Sequence, residues 1–229
     1  MHKAAPGIQI LAWIGVPVQL TTSEGEVIPN RLENGAIRAT IAEFARQMVE
    51  EIGFDGIHLN AEFITAGNQA FIDTLQVIRE VLPDKAILST TAHALPPTTR
   101  ITIAPIGLDR ENQSTQYLQQ IARNSDQVAL MAYDSGLFFP SDYRAWVTHQ
   151  VKTASEEIEG IDTQFLIGLP TSEEFTASHR TNTENLSNAI YGLQQGLADN
   201  PFYANIDGIA IYPYWETDEH EWTLIDSIN

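Results

Sequence analysis

The sequence predicts an α/β fold, a (β/α)8 barrel of the TIM type, and three observations carry that prediction. Six apolar runs of strand length alternate with stretches of helical spacing. No hairpin signal separates them, so the strands are expected to lie parallel, joined by right-handed crossovers. Polar or aromatic residues gather at the C-terminal ends of the runs, where a barrel places its site: Trp13, Glu62, His93, Tyr133 with Asp134, and Tyr212 with Trp215. An open doubly wound sheet shares the alternation. No Gly-x-Gly-x-x-Gly follows the first run, however, which removes support for a dinucleotide-binding version. Residues 1–229 are read as one domain, and no cofactor is expected.

The elements follow in order. Residues 7–16 (GIQILAWIGV) form the first strand, after a short stretch that reads as the tail of a helix. Residues 18–34 form a polar loop, and the apolar stripe Ile37, Ile41, Phe44, Ala45, Met48, Val49 and Ile52 predicts a helix capped by Gly53. The strand at 53–64 follows, then a helix over 68–82 stopped by Pro83, then a strand over 86–92. Residues 98–109 give no pattern, 114–123 a short helix and 127–133 (QVALMAY) a strand. A helix over about 142–159, a strand at 164–169 and an irregular loop at 171–183 come next. The last elements are a helix at 184–197, a strand at 206–212 and a short helix at 219–228.

Composition narrows the partners. Thirty acidic residues against 12 basic ones give a net charge of −18, with neither a basic patch nor a basic amphipathic helix. Nucleic acid and anionic membrane surfaces are therefore not expected partners. Cysteine is absent, which excludes disulfides, thiolate metal sites and cysteine nucleophiles. The six histidines show no metal-ligand spacing, so no metal site is expected. No leader peptide is visible at Met1, and the sequence leaves the compartment open.

The stretch GFDGIHLNAEFI at 53–64 organises the chain. Ile57, Leu59, Ala61 and Phe63 fall on one face of its strand, and His58, Asn60 and Glu62 on the other. The apolar face is expected to meet helices. The polar face then needs a hydrogen-bond network or a wet cavity, because buried polar groups are costly without partners. Asp55 is expected to cap a turn.

Four segments together resemble glycoside hydrolase family 18. The run DGIHLNAE at 55–62 is similar to that family's Asp-x-x-Asp-x-Asp-x-Glu on the fourth barrel strand. Met131-Ala132-Tyr133-Asp134 resembles its Met-x-Tyr-Asp on the sixth, while 165–170 and 208–218 are similar to its seventh and eighth strands. An uncharacterised bacterial branch with Asn-x-Glu on the strand and Trp-Glu-x-Asp near the end is more similar still. The resemblance implies that the first two βα units are missing here, which would expose an edge strand to self-association.

It also implies the chemistry. The partner would be a carbohydrate, a β-linked N-acetylhexosamine glycan whose own acetamide serves as nucleophile. Glu62 matches the proton donor. Asn60 stands where the family has the aspartate that orients the acetamide, and His58 replaces another acid. Tyr133 matches the tyrosine that bonds the acetamide carbonyl, with Asp134 beside it. Tyr212 or Trp215 would floor the sugar site, with His58, Trp13, His93 and Glu216 as further substrate contacts. Glu62 is expected in apolar surroundings.

Each residue also has a purely structural reading. Glu62 could pair with a loop donor, Asn60 could bond His58, and His58 could hold Asn60 or Asp55. Asp134 could cap the next turn, the aromatics could be packing, and Glu173, Glu174 and Glu216 could be solvated loop acids. Two functions therefore compete: a glycosidase using Glu62 and Asn60, and an inactive carbohydrate-binding or scaffold barrel.

Overall fold

The computed structural model describes residues 7–21, 27–28, 30–62, 64–65, 67–96 and 114–228. The expectations for residues 1–5, Phe63 and residues 98–109 lie outside that set. Strand β1 (Leu11–Pro17) is followed by β2 (Leu20–Thr21) and β3 (Val27–Ile28), a small antiparallel pair within the region read as loop. Then come α1 (Gly35–Gln47), β4 (Gly56–Glu62), α2 (Gln69–Val81), β5 (Ile87–Ala92), α3 (Thr115–Arg123) and β6 (Gln127–Met131). The chain continues through α4 (Pro140–Glu157), β7 (Gln164–Pro170), α5 (Leu186–Leu197), β8 (Gly208–Tyr212) and α6 (Glu219–Asp226). Leaving the β2–β3 pair aside, six parallel strands alternate with helices among the described residues, the α/β arrangement expected. No helix among the described residues is long and apolar enough to cross a membrane.

The chain divides into two compact units, Met1–Thr91 with Gln120–Val128, and Ala92–Gln119 with Ala129–Asn229. In the first unit β1, β4 and β5 run parallel, with Trp13 opposite His58, Gly15 opposite Asn60, Pro17 opposite Glu62 and His58 opposite Ser89. Alternation decides the faces. Ile57, Leu59 and Ala61 are buried, whereas His58 and Asn60 are half-buried and Glu62 is exposed. The apolar sides of α1 (Ile41, Ala42, Ala45) and α2 (Phe71, Ile72, Leu75, Ile78) supply the unit's helical core. Asn34 and Asn68 cap their N-termini by accepting backbone N–H bonds.

The predicted stripe of the first helix holds for only part of its length. After Gln47 the helix widens into a π turn, Met48–Ile52, which rotates later side chains off the buried line. Ile52 is exposed as a result, and Phe44, still within α1, already stands outside the buried line. Gly53 ends the element at φ 91, the left-handed conformation glycine adopts without penalty.

Asp55 caps no turn. Its carboxylate accepts Ile10 N–H at 2.7 Å, and its own N–H donates to Ile10 C=O at 2.9 Å. Asp126 does the same with Leu88 and adds an ion pair to Arg79 at 2.9 Å. In the second unit Asp207 does so with Phe165. An aspartate at the start of β4, β6 and β8 thus satisfies an N–H that the start of a parallel ladder would leave open.

In the second unit β7 pairs in parallel with β8, Pro170 standing opposite Tyr212, and Ala132 N–H donates to Gly168 C=O at 3.1 Å. Phe165, Ile167, Leu169, Tyr143, Trp146 and Leu193 form its core. Helix α4 begins at Pro140, just before the predicted start, with proline in the first turn. Helix α5 begins at Leu186 behind the cap Asn185, so Glu184 lies outside the helix predicted to contain it.

Candidate functional site

The polar face of β4 ends in a short relay. Thr91 Oγ1 donates to Asn60 Oδ1 at 3.0 Å, and Asn60 Nδ2 donates to Glu62 Oε1 at 2.9 Å. The ionised Glu62 carboxylate only accepts, so it fixes the amide with Nδ2 toward Glu62 and leaves Oδ1 to take the Thr91 hydroxyl proton. Asn60 bonds Glu62 rather than His58. Glu62 is exposed, so the apolar enclosure expected around it is not what the fold provides. Trp13 lies one strand over, 61% exposed, its indole edge 3.9 Å from the Cβ position that Gly15 leaves vacant. A flat apolar surface therefore lies along β1, whose Gly15 and Pro17 stand opposite Asn60 and Glu62.

His58 holds neither Asn60 nor Asp55. Its Nδ1 lies 2.8 Å from Ser89 Oγ, which in turn donates to Gln127 Oε1 at 2.8 Å. Ser89 has one proton and gives it to Gln127, so Nδ1 must carry hydrogen and donate. Burial lowers the imidazole pKa from 6.5 to about 4. At neutral pH the position therefore holds a neutral donor in place of an acid.

The second unit carries the aromatic and acidic candidates. Tyr133 and Tyr212 stack at 5.8 Å with an interplanar angle of 16°. Tyr133 fits against β7 because Gly168 has no side chain: a Cβ there would lie 3.2 Å from its Cε1. Trp215 meets Tyr212 and Tyr214 edge-on at 5.8 and 5.6 Å, and is 64% exposed. Glu216 accepts Glu173 N–H at 2.9 Å, so it braces a loop instead of being merely solvated. His93, just after β5, is half-buried.

Asp134 holds φ 57, unusual outside glycine, and accepts Ser178 Oγ at 3.4 Å. In the turn that follows, Leu137 N–H donates to Ser135 Oγ at 3.2 Å. Two residues that the sequence reading passed over stand near Asp134, His179 and Glu184, both buried. Glu184 Oε1 takes Ser135 Oγ and, at 3.0 Å, Gly136 N–H. The same carboxylate raises the His179 pKa, with burial working against it.

Within the first unit the structure thus brings together Asn60 and Glu62, with Trp13 on the neighbouring strand. Within the second it groups Tyr133, Tyr212 and Trp215, and separately Asp134 with His179 and Glu184. No sequence motif marked His179 or Glu184. The one available signal was a glutamate falling where a helix was read to start.

No protein-family profile matches the chain, and no curated protein matches it. Solved structures do. The chain is similar to a class V chitinase from Pseudomonas fluorescens Pf-5 (TM-score 0.62, 14% identity), covering 95% of this chain and 80% of that one. It is also similar to the spore cortex-lytic enzyme SleL of Bacillus cereus (TM-score 0.59, 13% identity, 94% and 59% covered). A proposed sporulation-specific glycosylase of Bacillus subtilis, ydhD, gives TM-score 0.50 at 18% identity, and the chain spans 52% of its length. The chain accordingly shares the fold of these solved structures, with six strand–helix units among the described residues.

Proposed function

We propose that this protein is a glycoside hydrolase acting on β-linked N-acetylhexosamine-containing glycans, with Glu62 as general acid/base and Asn60 orienting the substrate. The observation that carries the reading is the Thr91–Asn60–Glu62 relay. It presents an exposed carboxyl whose orientation is set by a neighbouring amide. That amide still has one lone pair on Oδ1 for an acetamide N–H. Protonated Glu62 gives its proton to the glycosidic oxygen while the acetamide oxygen bonds to the anomeric carbon and the leaving sugar departs. Glu62, now ionised, takes a proton from water as that water opens the oxazolinium ring. Asn60 accepts the acetamide N–H, a bond that strengthens as positive charge develops on that nitrogen. In the first unit Trp13 offers an apolar face for a sugar ring; in the second, Tyr212 and Trp215 offer such faces and Tyr133 and Asp134 polar groups.

A second reading, a barrel that binds carbohydrate without cleaving it, is favoured by one feature. His58 and Asn60 are neutral, so no second carboxylate on β4 supports the positive charge of an oxazolinium. Substrate chemistry separates the two. The hydrolase cleaves N-acetylglucosamine oligomers and leaves fully deacetylated glucosamine oligomers intact, because they lack the nucleophile. Equal cleavage of both substrates would rule out acetamide participation, and binding of the acetylated oligomer without cleavage would establish the second reading.

A further inference from the structure

Three ionisable side chains distant in sequence converge in the second unit. Asp134 follows β6, His179 lies in the loop after β7, and Glu184 stands just before α5; one ligand atom from each lies within 4.8 Å of the others. Convergence of acids alone is unremarkable, but the details point to a ligand.

Glu184 is fully buried. Its Oε1 is satisfied by Ser135 and Gly136, whereas its Oε2 accepts no hydrogen bond among the described residues. A buried carboxylate oxygen without a donor is costly to maintain. The group facing it is His179 Nδ1, at 3.4 Å. On the other side of that ring Nε2 lies 3.0 Å from the Ser172 carbonyl oxygen. A carbonyl only accepts, so Nε2 carries hydrogen, and the neutral imidazole turns its Nδ1 lone pair toward Glu184 Oε2. Unless a cation or a proton sits at Nδ1, two lone pairs then face each other across a buried gap.

A cation resolves that opposition. Zinc bound tetrahedrally, with bonds to nitrogen and oxygen of about 2.0–2.2 Å, sets neighbouring ligand atoms about 3.4 Å apart. A metal-ligating histidine commonly donates its other N–H to a carbonyl, and a ligating carboxylate is itself held by hydrogen bonds. Both supports are present here, through Ser172 for His179 and through Ser135 and Gly136 for Glu184.

We propose that the Asp134 carboxylate, His179 Nδ1 and Glu184 Oε2 bind a divalent first-row transition ion, zinc or manganese. One imidazole nitrogen with two carboxylate oxygens suits these ions better than calcium or magnesium, which favour all-oxygen sites. The two carboxylates balance the charge of the ion. Asp134 reaches it by giving up its long contact with Ser178 Oγ. Three protein ligands leave a position open for water or a substrate hydroxyl. The ion would tie the segment after β6, which carries Tyr133, to the loop after β7. The site does not depend on hydrolysis by Glu62.

The rival occupant of the Nδ1 lone pair is a proton, giving an imidazolium paired with Glu184. To decide between them, the chain is stripped with chelator, dialysed against zinc or manganese, and assayed for bound metal by mass spectrometry and for affinity by calorimetry. Glu184→Gln and Asp134→Asn are run beside it. Asp134→Asn secures the test if Glu184→Gln does not fold, because asparagine tolerates the left-handed backbone of a half-buried position. The wild type is expected to retain about one ion per chain, with each folded variant binding at least roughly tenfold more weakly. A folded wild type that retains neither ion overturns the proposal and assigns the cluster to the imidazolium pair. Equal affinity in Asp134→Asn overturns it as well.

Discussion

Lowering the pH from 7 to 4 should destabilise the fold through His58, by an amount that the structure sets. Its imidazole donates to Ser89 from a half-buried position, and burial lowers its pKa from 6.5 to about 4. The unfolded chain therefore binds a proton at His58 between these values while the folded chain does not. Its contribution is fully present above pH 6.5 and is lost progressively as the pH falls toward 4. A shift of this size corresponds to about 3 kcal/mol, a substantial part of a domain's net stability. Many carboxylates also protonate in this range, so the informative quantity is a difference. Urea unfolding is measured at pH 7 and pH 4.5 for the wild type and for His58→Gln, whose amide keeps a donor near Ser89 but cannot titrate. The wild type should lose roughly 2 kcal/mol more than the variant over that interval. Equal losses in the two proteins would refute the assignment of His58 as a neutral buried donor.

Two further perturbations probe packing and the sugar platform. A Cβ at Gly196 would lie 2.5 Å from Val151 Cβ, so Gly196→Ala overpacks the α4–α5 contact. Overpacking typically costs 1–3 kcal/mol and the better helix propensity of alanine returns up to about 1, so a net loss of about 1–2 kcal/mol should appear in urea unfolding. Unchanged stability would mean that the two helices can separate without penalty. Trp13→Ala should weaken binding of an N-acetylglucosamine oligomer roughly tenfold, about 1.4 kcal/mol, at unchanged stability. Unchanged affinity would shift the stacking role to Trp215.

The parts of this fold legible in the sequence were those set by local pattern. Strand β4 could be read face by face because burial follows a strict alternation. The ends of α1 and α2 were marked by Gly53, Asn68 and Pro83, residues with a direct backbone effect. Other features depended on partners far along the chain. The π turn after Gln47 changes the helical period, which a stripe of apolar residues does not encode. His58 binds Ser89, 31 residues away, through strand register. The strand-start aspartates were in plain view in the Asp-Gly-Ile of 55–57 and 207–209, yet their acceptor role appears only once the neighbouring strand is in place. Site residues followed the same division. Glu62 and Asn60 share a strand and could be paired from sequence, whereas His179 and Glu184 meet Asp134 across more than forty residues of intervening chain.

The central claim is that Glu62 donates and then accepts the proton in hydrolysis of an N-acetylated glycan. It is tested most directly by incubating wild type and Glu62→Gln with N-acetylglucosamine oligomers in heavy-oxygen water and weighing the products. The account predicts shortened oligomers carrying one heavy oxygen at each new reducing end from the wild type, and none from the folded variant. Products from Glu62→Gln at the wild-type rate, or none from a folded wild type, would contradict it.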